Sequence, residues 1–115
     1  MDQDRARARL TAERTDVTAM IDGADTAARQ ARLAQHEVGD SADPAQSLTD
    51  EGLGTAVAAG LRERLAVIDR ALRRLDAGTY GRSVHSGQPI PDERLEADPA
   101  AELTIEEARA TEARR

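Results

Sequence analysis

Leu10, Val17, Ala24, Ala31 and Val38 recur every seven residues along a stretch, from about Asp4 to Val38, that holds no proline and a single glycine. Seven residues are close to two helical turns, so these side chains form one narrow apolar stripe on a long helix. Ala6, Met20, Ala27 and Ala34 fill the companion seam, which Glu13 interrupts. A second stripe follows, made of Ala58, Leu65 and Leu72 with Leu61, Ile68 and Leu75, flanked by Leu53 and Val57. Between the two, residues 39–47 are rich in Gly, Asp, Ser and Pro, and the chain turns there.

Asp43-Pro44-Ala45-Gln46 carries a helix start: an N-cap candidate, proline at the first helical position, and glutamine placed to close a capping box. The spacing predicts a second helix from near Pro44. Gly52, Gly54 and Gly60 weaken its first turns, and Ala77-Gly78 ends it, because glycine takes the left-handed cap conformation. Two heptad helices joined by a short turn run antiparallel with their stripes facing. At the helical rise, such helices make a hairpin about 45 to 50 Å long with its tip at residues 39–45. Periodicity alone leaves two uses open: an arm that reaches into a partner, or a dimerisation or spacer element.

The composition agrees with paired helices. With no Trp, no Phe, one Tyr and apolar residues that are mostly Ala and Leu, a thick globular core is out of reach, whereas a helix–helix seam needs little apolar volume. The 115 residues suffice for one domain, or for one elongated hairpin carrying a small module. A net charge of −6 disfavours binding to a phosphate backbone and points to a protein partner instead. No cysteine is present, which excludes disulfides and thiolate metal sites. Met1-Asp2-Gln3-Asp4 lacks the basic flank and apolar stretch of a secretory leader, and no apolar run approaches a membrane span, so the expectation is a cytoplasmic protein. Nor is an enzyme expected: there is no Ser-His-Asp grouping, no phosphate-binding glycine loop, and only His36 and His85.

After Gly78 the chain changes character. Gly78-Thr79-Tyr80-Gly81-Arg82-Ser83 leads through Ser86-Gly87-Gln88-Pro89-Ile90-Pro91 to Arg94-Leu95-Glu96-Ala97-Asp98-Pro99, and a last helix is expected from about Thr104 to the end. A segment so rich in Gly and Pro is ordinarily held by a metal or by docking onto a neighbouring helix. Near the turn between the long helices stands Asp40-Ser41-Ala42-Asp43-Pro44-Ala45, and forty positions separate Asp43 from Ser83.

These residues resemble the DksA/TraR family of bacterial RNA polymerase regulators. Its C-terminal signature runs Gly-x-Tyr/Phe-Gly-x-Cys-x-x-Cys-Gly, then Ile, then Arg-Leu-Glu-Ala-x-Pro, then Leu-Cys-x-x-Cys; its tip motif is Asp-x-x-Asp-x-Ala. Here Tyr80, Gly81, Gly87, Ile90, Arg94, Leu95, Glu96, Ala97 and Pro99 match, while the four cysteine positions fall on Ser83, Ser86, Thr104 and Glu107. The resemblance covers about residues 39–107, and it implies that those four are former zinc-ligand positions. Neutral hydroxyls are poor zinc ligands, and His85 with Asp92 or Glu93 does not rebuild a set, so no metal and no other cofactor is expected. Ser83, Ser86 and Thr104 can instead bond nearby backbone, and Thr104 with Glu107 has capping-box spacing.

The implied fold is mainly all-α: an antiparallel two-helix coiled-coil hairpin over residues 1–78, then a zinc-free, degenerate zinc-finger-like module with a short C-terminal helix over 79–115. The implied function is regulation of transcription by contact, with Asp40, Asp43 and Ala45 at a tip that enters the secondary channel of RNA polymerase. Direct sequence-specific DNA binding and membrane association are not expected. In enterobacterial-type relatives basic side chains hold guanosine tetraphosphate against the polymerase; the matching positions here are Val67, Asp98 and Ala108, none of them basic, so synergy with that nucleotide is not expected. The alternative is a coiled-coil adaptor or structural protein that has lost polymerase regulation.

Overall fold

Two long helices carry the two stripes: α1 spans Gln3–Val38 and α2 spans Pro44–Ala77, followed by the short helices α3 (Asp92–Ala97) and α4 (Ile105–Ala113). The computed structural model describes residues 1–38 and 44–114, with side chains outside 36–53. Contacts divide the chain into two compact units, one made of Met1–Arg14 and Ala66–Arg115, the other of Thr15–Leu65.

In the first unit the opening turns of α1 run antiparallel to the closing turns of α2. Arg7 pairs with Asp76 at 2.9 Å and Arg14 with Asp69 at 2.7 Å, seven residues forward on one helix and seven back on the other. Exposed pairs of this kind contribute little stability and serve better as markers of register. The apolar contribution comes from Leu10 and Ile68, both fully buried, with Ala6, Ala71 and Leu75 beside them in the core. α2 stops where glycine was expected to stop it: Gly78 has φ +77°, and the Thr79 N–H donates to the Arg74 carbonyl at 2.9 Å.

In the second unit Val17 and Ile21 of α1 and Ala58 of α2 are buried, and Arg62 reaches both carboxylate oxygens of Asp25 at 2.8 Å. A groove of about 520 Å³ runs past Ala24, Ala27, Ala28, Ala31 and Ala58, whose methyl groups are too small to close it.

The seam departs from the expected heptad on both helices. Met20 is 56% exposed, and Ile21 is buried in its stead. A straight helix drifts by roughly 20° per heptad against a strict seven-residue repeat, so the inward face passes from position 20 to position 21. Ala27, Ala31 and Ala34 are likewise exposed. On α2 the buried line is Ala58, Ile68, Ala71 and Leu75; Leu61, Leu65 and Leu72 sit half-buried at its edge, and Val57 is exposed.

α3 was not anticipated. It follows Pro91, which caps it without a side-chain hydrogen bond, and its first turn holds Asp92 and Glu93, favourable at the positive end of a helix. Among the described residues no helix is long and apolar enough to cross a membrane.

Candidate functional site

Of the residues expected at the tip, Asp40 and Asp43 lie outside the described residues. Ala45 belongs to the first turn of α2, and its side chain is outside them as well. The other expected site, the four positions 83, 86, 104 and 107, is fully described.

Residues 81–90 form a tight knuckle. Its two sides meet in an isolated antiparallel bridge between Arg82 and Pro89, where the Ser83 N–H donates to the Gln88 carbonyl at 2.8 Å and the Ile90 N–H to the Gly81 carbonyl at 2.8 Å. Gly81 (φ +88°) and Gly87 (φ +75°) turn the chain through the left-handed region, the backbone reason for glycine at both positions. Inside the turn Ser83 is buried, the single buried polar residue among those described. Its hydroxyl accepts the N–H groups of His85 (3.1 Å) and Ser86 (3.2 Å) and donates to Glu107 Oε2 at 3.0 Å.

Glu107 belongs to the start of α4, where the expected capping box is formed. The Thr104 hydroxyl accepts the Glu107 N–H at 3.3 Å, and Glu107 Oε1 accepts the Thr104 N–H at 3.0 Å. Donors thus converge on one carboxylate. The Thr104 backbone N–H first, then the Ser83 hydroxyl, hold its pKa down at about 2, with the Thr104 and Ser86 side chains adding smaller contributions.

The four positions come together, but they do not suit a structural zinc. That ion takes thiolates and imidazoles in a tetrahedron. Here the Ser83 hydroxyl has already given its one proton and filled both lone pairs, leaving a single carboxylate. His85 is exposed, and no group of three or more His, Asp or Glu among the described residues could hold a metal.

The rest of the matched strip is explained by packing. Leu95 joins Ile90 and Ala101 in a small core against which Tyr80 and Met1 pack. Burial raises the Tyr80 pKa against the opposing pull of Arg74 and Arg9, and its hydroxyl donates to the Pro99 carbonyl at 2.8 Å. Arg94 Nε donates to the Leu103 carbonyl at 2.7 Å, while Glu96 takes Arg5 on its side chain (2.9 Å) and Arg9 on its carbonyl (2.8 Å). A Cβ built at Gly81 would lie 3.9 Å from the Leu95 side chain, in ordinary contact, so the demand for glycine there is conformational.

Sequence reasoning missed Glu102. Arg70 binds both its oxygens, at 2.8 and 3.1 Å, Arg74 adds a longer contact at 3.4 Å, and the Arg70 hydrogen bond is the chief reason its pKa is lowered. These bonds fasten the segment before α4 to α2. No spacing signals them, because the partners lie far apart in sequence. Of the three positions matched to nucleotide-binding side chains, Asp98 is spent on the turn after α3, where its carboxylate accepts the Ala100 N–H at 3.0 Å, and Val67 and Ala108 are half-buried.

No protein-family model matches the chain. Over 67 residues it is 42% identical to the RNA polymerase-binding transcription factor DksA of Caulobacter vibrioides, a stretch covering 58% of this chain and 47% of that protein. General stress protein 16O of Bacillus subtilis is 43% identical over 65 residues, 56% of this chain and 40% of that one. These matches therefore span about half the length of the curated relatives or less. The structure of transcription factor DksA2 from Pseudomonas aeruginosa superimposes with a TM-score of 0.82 and 31% identity, covering 97% of this chain and 84% of the other.

Proposed function

Because the chain belongs to the DksA family, we propose that it binds RNA polymerase and regulates transcription through the secondary channel, acting by contact and not by catalysis. The observation that carries this reading is the agreement of nearly the whole chain with the structure of a transcription factor. The sequence adds the family's tip motif over residues 40–45, with Asp40, Asp43 and Ala45 in the matching places.

In this reading the paired helices provide the stiffness, the turn between them delivers two carboxylates toward the polymerase active centre, and the C-terminal module supports binding outside the channel. Tip carboxylates act on the mobile polymerase elements around that centre and shift the stability of open promoter complexes. A net charge of −6 suits a protein partner better than a DNA backbone. Asp98 in place of a basic side chain leaves a highly charged nucleotide little to gain at that position.

The test is capture of purified core RNA polymerase by the immobilised chain, in competition with a transcript-cleavage factor that occupies the secondary channel. Saturable capture that the competitor displaces is the expected result. Capture without displacement would move the binding site elsewhere on the polymerase, and no capture at all would leave the adaptor role.

A further inference from the structure

Ser83 and Ser86 stand on the knuckle, Thr104 and Glu107 at the start of α4, and backbone atoms contribute only part of what joins the two stretches. The backbone link is one hydrogen bond, from the Val84 N–H to the Glu102 carbonyl at 2.9 Å. The main side-chain link is the bond from Ser83 Oγ to Glu107 Oε2, with the Ser86 side chain making a smaller contribution to the same carboxylate, and on each side that bond is tied into local backbone. Ser83 Oγ gathers two N–H groups of its own turn, and Glu107 Oε1 gathers the N–H of Thr104. We propose that the Glu107 carboxylate is the ion that closes the C-terminal module: a charge-assisted clamp that fastens the knuckle to α4 and does the cross-linking that a bound metal would otherwise supply in so small a fold.

Three physical points support the clamp. Residues 78–104 offer a small core cluster of Ile90, Leu95 and Ala101 with Tyr80 and Met1 packed against it, and beyond it bury only the small apolar residues Pro99 and Ala100, little apolar surface to order so many turns unaided. Hydrogen bonds to an ionised acceptor are roughly twice as strong as neutral ones, and Glu107 receives at least two, one of them from a buried hydroxyl. The Ser83 hydroxyl, in turn, is buried with its full capacity of one donated and two accepted bonds used, so removing the carboxylate takes away the acceptor of a buried proton donor. The clamp uses neither thiol nor metal, so the folding of the module follows neither thiol oxidation nor metal supply. This inference is independent of polymerase binding.

The simpler role for Glu107 is to cap α4 alone, and the experiment separates the two. Amide hydrogen exchange is measured on the full chain and on its Glu107→Gln, Ser83→Ala and doubly substituted forms. Under the clamp, either single substitution speeds exchange at the Ser83, Gly87 and Ile90 amides at least tenfold. The double substitution adds little further, and the amides of Leu10 and Ile68 keep their protection. A Thr104→Ala variant, which weakens the cap but leaves the Ser83–Glu107 bond, disturbs α4 more than the knuckle. Unchanged knuckle exchange in both single variants would overturn the clamp, as would additive effects in the double variant. Loss of protection at Leu10 and Ile68 would also overturn it, by showing that the effect is not confined to the module.

Discussion

Burial at single residues decides which parts of the seven-residue pattern have energetic weight. Ile68 is fully buried and Met20 is more than half exposed, although each stood on the expected seam of its helix. Truncating a fully buried branched side chain costs both its transfer free energy and the cavity left behind, so Ile68→Ala is expected to lose about 2 to 5 kcal/mol. Met20→Gln, which keeps helix propensity and removes apolar surface already in contact with water, is expected to stay within about 0.5 kcal/mol. Urea denaturation of the two variants checks both; comparable losses would return Met20 to the core. The identity of the buried residues was largely legible because Leu10, Val17, Ile68 and Leu75 are large apolar side chains in the right period. Ile21 and Ala71 were not, since a shift of one position in the inward face follows from how tightly the helices wind, and the apolar pattern allows either choice.

At the scale of elements, punctuation was more informative than periodicity. Pro44 at the start of α2, Gly78 past its end and Thr104 ahead of α4 each mark a boundary that the backbone requires. The six residues of α3 were missed because they are too few to show a period; the Pro91-Asp92-Glu93 start was the available signal. The capping box of α4 was legible from Thr104 and Glu107, whereas the bond from Ser83 was not, because nothing in local spacing shows that residue 83 lies beside residue 107. The bonds to the Glu107 carboxylate, from the Thr104 N–H first and then from the Ser83 hydroxyl, give the module a pH dependence whose sign follows from linkage. The Glu107 pKa is near 2 in the folded chain against an ordinary 4.5, so its contribution is fully present above about pH 4.5 and is lost as the pH falls toward about 2. Glu102 is lowered in the same direction by Arg70, so acid destabilisation of the parent contains both groups. The difference in stability between parent and Glu107→Gln isolates the first, and in thermal melts this difference is expected to shrink as the pH is lowered through that window. A constant difference across the window would mean that the carboxylate charge plays no part.

For the whole molecule, the functional question is whether binding and effect are separate properties, and the carboxylates proposed for the tip, Asp40 and Asp43, allow a test. If polymerase binding comes mainly from the module and the helix flanks, while Asp40 and Asp43 act only after the turn has entered the channel, then removing their charge leaves affinity nearly intact. Asp40→Asn is expected to keep polymerase capture within a few-fold of the parent, because a single carboxylate away from the packed seam contributes little to stability or to a large interface. Asp43→Asn is the more informative companion: asparagine caps helices as well as aspartate does, so the variant loses the charge while keeping a residue suited to the N-cap that the sequence leads one to expect ahead of Pro44. If Asp43 is the N-cap that the sequence implies, Asp43→Ala should cost about 1 kcal/mol beyond the Asn variant, a loss that a melting curve separates from the functional one. Both Asn variants are expected to lose most of their effect on open-complex lifetime in a purified transcription reaction at concentrations that saturate the polymerase. Saturation matters, since a weaker binder and an inert tip give the same result below it. If both variants regulate as the parent does when bound, the charges at the turn are not the acting groups, and obstruction of the channel by the helices themselves becomes the mechanism. If both fail to bind, the turn carries affinity, and the division between a gripping module and an acting tip is wrong.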